Sequence, residues 1–278
     1  MENEPAAAHL LWTPVQRVAN AVDLAARAHR DQRRKNRIAA PYINHPIAVM
    51  RRLTDAGVTD ADILAAAALH DVDEDTSVKI PEIRATFGDA VANIVAEVTD
   101  DKTTSKTDRK IHQITAGREK SLAAKLVKTA DKLDNLADLA KCPPEEWTEK
   151  RVQGYFCWSK AVVDAMGYCV RTMLAEDTEE HSLEKLFFSL EMLFEHATIK
   201  TSTGDVVRCL PAISEQERRA LCEWFIQEGH SEVREMPKVT RDHRTGYQRY
   251  MPLREDEIAD RPTLFLPIGP VNPATLNL

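Results

Sequence analysis

Apolar residues recur every three or four positions through roughly the first 175 residues of the 278-residue chain, the repeat of amphipathic helices rather than the alternation of strands. Thr13 followed by Pro14 marks a helix start, and Val15, Val18, Ala19, Val22 and Ala26 carry that helix to about His29. Pro46 suits the first turn of a second helix and pushes the residue before it out of the helical region, so His45 is expected at a fixed helix entrance. A third helix opens at Thr59, with Asp62 three residues on in a capping-box-like start, and runs through an alanine-rich stretch to His70 and Asp71. Pro81 opens a fourth, whose core stripe is Ile83, Phe87, Val91, Ile94 and Val98. Residues 102–120 are polar and basic and read as a loop with a short helix. Ser121 precedes a fifth helix with the stripe Leu122, Leu126, Val127, Ala130, Leu133, Leu136 and Ala137. Pro143 and Pro144 break the chain, and Trp147 and Thr148 begin a long helix carrying Arg151, Tyr155, Phe156, Trp158, Val162 and Val163. Connections this short and patterns this regular describe an all-α bundle and leave no room for a parallel sheet.

The pattern changes near residue 180. Leu183, Leu186, Phe187, Leu190 and Phe194 give one more helix, after which residues 197–200 and 205–210 flank Thr201-Ser202-Thr203-Gly204 as a β-hairpin. Ser214 and Glu217 form a capping box for a helix with Leu221, Trp224 and Phe225, closed by Gly229. Two further strand-like runs surround Arg244, Thr245 and Gly246, and from Arg261 onward the chain is proline-rich and extended. The expected organisation is therefore an all-α bundle over residues 1–178 and a small α+β region over residues 179–278.

Charge narrows the function. A net charge of -7 disfavours broad nucleic-acid or anionic-membrane binding, so any phosphate site must be a local basic patch. Arg30, Arg33, Arg34, Lys35 and Arg37 supply one, although a solvated helix end gives the same pattern. The five cysteines are scattered and never spaced as CxxC, the amino terminus is acidic where a secretory signal is basic, and no apolar run reaches membrane-spanning length. The expectation is a cytoplasmic protein with reduced thiols.

The chemistry gathers at residues 70–75. His70, Asp71, Asp73, Glu74 and Asp75 crowd negative charge at the C-terminal end of a helix, where the macrodipole is also negative, and a bound divalent cation would balance it. If helical spacing continues, Glu74 follows His70 and Asp75 follows Asp71 by one turn. On the fifth helix Lys128, Asp131 and Asn135 share a face, and two readings are open for Asp131: an ion pair with Lys128, or a metal ligand. Together His45, His70, Asp71 and Asp131 offer two imidazoles and two carboxylates, a set that suits a hard or borderline divalent metal such as manganese better than a structural zinc site. Glu74 and Asp75 would then orient a metal-bound water or take its proton, and Arg34 and Lys35 would neutralise a substrate oligophosphate.

Residues 29–35, 42–46, 69–76, 98–103 and 125–136, in that order, resemble the HD-type hydrolase domain of the RelA/SpoT proteins, and within it the small stand-alone alarmone hydrolases that include the metazoan SpoT homologue. The resemblance spans about residues 15–175. It implies a manganese-dependent enzyme that removes the 3′-pyrophosphate of guanosine tetra- or pentaphosphate. It further implies His45, His70, Asp71 and Asp131 as metal ligands, Glu74 and Asp75 serving the attacking water, Arg34 and Lys35 meeting the phosphates, and Tyr42 and Asn135 lying near the nucleoside. Lys128, Arg151 and Tyr155 complete the expected substrate contacts. Asp134 and Ala137 depart from the family pattern, which commonly has an aromatic or histidine and an arginine there, and so bear on which nucleotide is preferred. Alternative readings are a phosphatase acting on the ribose phosphate of NADPH, an antitoxin-like relative acting on related nucleotides, and a binding protein whose C-terminal region engages a partner or a second copy.

Overall fold

The computed structural model describes residues 11–167, 179–201 and 203–229. They fall within one compact unit, Met1–Glu235. The strand-like runs expected around Arg244 to Gly246, and the segment from Arg261, lie outside the described residues.

The chain forms α1 (Pro14–Ala28), α2 (Asn44–Ala56), α3 (Ala61–Leu69), the single turn α4 (Val72–Asp75), α5 (Ile80–Phe87), α6 (Asp89–Val98) and α7 (Lys106–Thr115). These are followed by α8 (Leu122–Lys141), α9 (Glu149–Ala165) and α10 (Glu179–His196). A two-stranded antiparallel hairpin, β1 (Thr198–Lys200) with β2 (Val206–Arg208), then leads to α11 (Glu215–Trp224) and a π-helical turn, Phe225–Gly229. The hairpin register pairs Ile199 with Val207.

Thr13 caps α1 in a capping box with Gln16, and Ser121, Thr148 and Ser214 cap α8, α9 and α11 through their hydroxyls. Each supplies an oxygen to an N–H that the helix itself cannot pair. Four local expectations change. The cap of α3 is Asp60 rather than Thr59: its Oδ1 accepts from Asp62 N at 2.7 Å and Ile63 N at 3.1 Å. The helix expected from Pro81 to Val98 is broken at Gly88, whose φ of 88° places it in the left-handed region that glycine adopts without strain. His45 sits inside α2 as its second residue, with its N–H donating to Tyr42 O at 2.9 Å. In a first turn the missing N–H of Pro46 removes no helical bond, and burial of His45 outweighs the usual bias of a residue before proline. Finally, the stretch from Arg30 to Arg37 is a loop rather than a helix end, closed by a bridge between Arg33 and Pro41 and by Arg34 N donating to Ala40 O.

The interior is organised around α3, whose residues Ile63 to Leu69 are all buried. An apolar surface on every side lets it lie in the middle of the bundle, where it contacts α1, α2, α6 and α8. The long α8 crosses α2, α6, α9 and α10 and buries Leu126, Val127, Ala130, Leu133 and Leu136. The core is continuous across position 179, since Leu183, Leu186, Phe187, Leu190 and Phe194 belong to the same cluster as the bundle residues. Phe156 and Phe194 meet edge to face, with ring centroids 6.3 Å apart. Leu136 has no exposed surface. Leu136→Ala should therefore lower unfolding free energy by about 2–5 kcal/mol, the usual effect of emptying a buried leucine site, read from the midpoint of a denaturant titration.

Candidate metal centre

Three helices bring the chemistry together. The start of α2 supplies His45, the end of α3 supplies His70 and the following Asp71, and the middle of α8 supplies Asp131. One ligand atom each from His45, His70 and Asp131 lie within 4.8 Å of one another. His45 Nε2 is 3.2 Å and His70 Nε2 3.8 Å from Asp131 Oδ1. Asp71 Oδ2 adjoins both rings, 3.1 Å from His70 Nε2 and 3.7 Å from His45 Nε2.

Both imidazoles are turned so that Nε2 faces the common point. His45 Nδ1 is 2.8 Å from Asp134 Oδ2, and His70 Nδ1 is 2.8 Å from the carbonyl oxygen of Ala67. Partners of this kind hold the tautomer that leaves Nε2 as a donor atom for a metal. His70 Nε2 is buried and makes no well-aligned hydrogen bond, despite its nearness to Asp71. An unsatisfied inward nitrogen beside Asp71 and the buried Asp131 fits a divalent cation.

The electrostatics agree with the geometry. Burial alone would push His45 down, but its hydrogen bonds to Asp131 and Asp134 and the charges of Asp131 and Asp71 raise it to about 9. His70 is also raised, with Asp71 and Asp131 overcoming its desolvation. Burial works to raise both aspartates, yet His70 and His45 hold Asp71 well below the usual carboxylate range, and His45, Lys128 and His70 do the same for Asp131. The site thus draws positive charge inward, and a metal ion satisfies that demand with both rings neutral.

The remaining candidates divide by position. The short α4 breaks the helical continuation expected beyond His70, so Glu74 and Asp75 are set by a new turn. Glu74 is pushed up by burial and by the like charges of Asp100, Asp71 and Asp75. Asp75 is instead tied to Lys102, whose Nζ is 2.6 Å from its Oδ1 and 3.8 Å from Glu74 Oε1. Tyr42 donates its hydroxyl to Asp71 Oδ2 at 2.7 Å. Asn135 donates to Asp131 Oδ1 and accepts from Arg34, the latter at 2.9 Å, while Arg34 also reaches Asp138 at 3.1 Å. Lys128 is buried, 3.7 Å from Asp131 Oδ2 and 3.4 Å from Val98 O, so the ion pair and the metal-site position coexist in one side chain array. Lys35 is exposed in the basic loop. Arg151 and Tyr155 lie on α9, Arg151 stacked 4.3 Å over the Trp147 ring and Tyr155 in an aromatic cluster with Trp147 and Trp158.

Sequence reasoning missed the roles of three residues. Asp134 stood out only as a departure, whereas it bridges His45 and Arg52, accepting from Arg52 Nε at 3.1 Å. Lys102 links two of the three acids of α4, Glu74 and Asp75. Lys132 is buried with its Nζ 3.8 Å over the Trp158 ring, and burial together with Lys128 pushes it down to about 7. A charged residue inside the apolar run of α8 was the available signal for Lys132.

A helical bundle that gathers two imidazoles and a carboxylate at one buried point, with a second carboxylate beside both rings, has the architecture of an HD-type metal-dependent hydrolase. A family model described as an HD domain matches residues 21–155. The chain is 53% identical over 147 residues to human MESH1, named as a guanosine-3′,5′-bis(diphosphate) 3′-pyrophosphohydrolase, covering 52% of this chain and 82% of the human one. The Drosophila melanogaster protein of the same name is 45% identical over 152 residues, covering 54% of this chain and 85% of its own. A solved structure of a metazoan SpoT orthologue, described as hydrolysing ppGpp, superposes with a TM-score of 0.56 at 42% identity, over 64% of this chain and 97% of that one. The chain belongs to this family, the HD-domain relatives of SpoT represented by MESH1.

Replacing Asp134 by alanine should weaken divalent-cation binding about 10- to 100-fold through loss of the His45 restraint, with little loss of helicity. Calorimetric titration of the cation checks it, and unchanged affinity would mean that His45 is oriented by other contacts.

Proposed function

We propose that this chain hydrolyses the 3′-pyrophosphate of guanosine tetra- and pentaphosphate, releasing pyrophosphate and leaving the 5′-phosphorylated guanosine, with a manganese ion as cofactor. The observation that carries the reading is the convergence of His45, His70 and Asp131 within 4.8 Å, in a chain 53% identical to the human enzyme over 147 residues. Two oxygen and two nitrogen donors suit manganese, a hard to borderline ion.

In this reading His45, His70, Asp71 and Asp131 hold the ion. When bound, it polarises a phosphoryl oxygen and makes a coordinated water more acidic. Glu74 is the proton acceptor: its raised pKa brings it closer to neutrality, so it takes a proton more readily than an ordinary glutamate. Water oxygen bonds to the phosphorus attached to the 3′ oxygen, the bond from that phosphorus to the 3′ oxygen breaks, and the 3′ oxygen leaves with a proton. Asp75, paired with Lys102, keeps the turn bearing Glu74 in place. Arg34 and Lys35 neutralise the phosphates, for which Arg34 exchanges its present partner Asp138 for the substrate. Tyr42 and Asn135 border the nucleoside, and Lys128, Arg151 and Tyr155 complete the surrounding wall.

Among the described residues no helix is long and apolar enough to cross a membrane. With free cysteines at positions 142, 157, 209 and 222, this supports a cytoplasmic setting.

The direct test is incubation with manganese and a panel of 3′-phosphorylated guanosine and adenosine nucleotides together with NADPH. Pyrophosphate release from the guanosine compounds is expected; orthophosphate release from NADPH in its place would overturn the proposal. Asp71→Ala and Asp131→Ala should each abolish turnover while keeping the circular dichroism of the parent, since neither touches the core stripes. Near-normal activity in either would remove that residue from the ligand set.

Glu74→Gln should retain the metal by elemental analysis and lose about 10²- to 10⁴-fold in kcat, the usual worth of a positioned base. Only the deprotonated carboxylate accepts a proton, so wild-type kcat should fall as pH drops through a pKa above that of an ordinary glutamate. In Glu74→Gln that acid limb should vanish.

A further inference from the structure

The HD-domain family model matches residues 21–155, and a segment well beyond it packs against Tyr155 and Trp158 of α9. Phe225 opens the π-helical turn after α11 and is 3% exposed. Its ring meets Tyr155 edge to face at 5.7 Å and Trp158 at 6.0 Å. On the other side its ring carries the Lys110 ammonium at 4.1 Å, and its carbonyl accepts from Lys110 Nζ at 2.9 Å. Thr107 donates to Ile226 O, and Trp158 Nε1 donates to Lys110 O at 3.1 Å. One turn of chain therefore ties α7 to α9.

Gly154 shows that this contact is built in rather than incidental. It lies inside α9, where glycine costs about 1 kcal/mol relative to alanine. A Cβ there would come within 2.8 Å of Phe225 Cβ. The helix thus carries an unfavourable residue at the one place where Phe225 seats. Tyr155, the next residue, feels the charges of Asp131, Arg34 and Asp71. Lys132, which adjoins Asp131 in sequence, has its Nζ 5.9 Å from the Tyr155 ring centroid. On α7, Lys110 is pushed down to about 8, first by burial and then by the charges of Arg151 and Lys106.

We propose that Phe225 is a positioning residue for substrate: it fixes the Tyr155 ring and anchors Lys110 of α7, so that aromatic and basic faces of the nucleotide pocket keep one geometry. The proposal rests on the nucleotide-hydrolase reading above and adds a segment from outside the family match to its binding wall. Phe225 touches neither the metal ligands nor Glu74, so it acts on binding rather than on the bond-breaking step.

The experiment is steady-state kinetics of the full chain with ppGpp and manganese. Phe225→Ala should raise KM about tenfold while kcat stays within about twofold, because uniform binding is lost and the transition-state contacts are kept. Gly154→Ala, which crowds the same seat from below, should raise KM in the same way, and Phe225→Leu should recover most of the parent value. If Phe225→Ala does not melt cooperatively, Phe225→Leu against Gly154→Ala carries the comparison. An unchanged KM in Phe225→Ala, or in Gly154→Ala where Phe225→Ala does not melt cooperatively, overturns the proposal, as does a lowered KM or raised kcat in either, which would mark the segment as an inhibitory plug. An inactive parent chain would instead count against the substrate assignment itself.

Discussion

Everything at the centre of this molecule answers to one constraint: carboxylates removed from water must be matched by positive charge. Asp131 is 6% exposed and Asp71 is drawn against two buried imidazoles. Isolated carboxylates in such surroundings would be strongly unfavourable. The rings of His45 and His70, raised in basicity by their neighbours, provide the compensation in the free protein, and the same atoms form a donor set for a divalent ion. The demand for positive charge and the capacity for metal chemistry are one property.

That constraint explains why the surrounding shell is so polar for an interior. Asp134 holds His45, Arg52 holds Asp134, Tyr42 donates to Asp71, and Asn135 links Asp131 to Arg34. Each side chain satisfies a neighbour that would otherwise be left unpaired, and each restricts the orientation of a candidate ligand. The apolar run of α3 and the long α8 provide the rigid frame on which this network hangs. Helices that cross at fixed positions keep donor atoms together more closely than loops would.

The region after residue 179 belongs to the same physical account. α10 buries its apolar face on α8 and α2, and the turn from Phe225 bridges α7 and α9. The frame of the site is therefore assembled from residues both inside and beyond the family match. Gly154 records the contact in the helix itself, a position where space was given up to admit Phe225.

The all-helical character of the bundle and its core stripes were legible in the chain because helical periodicity and capping residues are local signals, and the run from His70 to Asp75 marked where candidate ligands lie. The family resemblance rested on those same local segments. The break at Gly88, the turn that follows His70 and the helical setting of His45 were not legible, since each depends on which surface the segment packs against. The role of Asp134 was hidden for a related reason. Its partner His45 lies 89 residues away, and a hydrogen bond across that separation leaves no trace in spacing. Local sequence determined most of the helices and which residue types they carry; only their packing decided that His45, His70 and Asp131 converge with Asp71 beside both rings, that Lys102 takes Asp75 while Glu74 stays desolvated, and that Phe225 closes on Tyr155. Periodicity acts along a single helix, whereas desolvation and charge pairing act between helices, through distances that exist only once the bundle has formed.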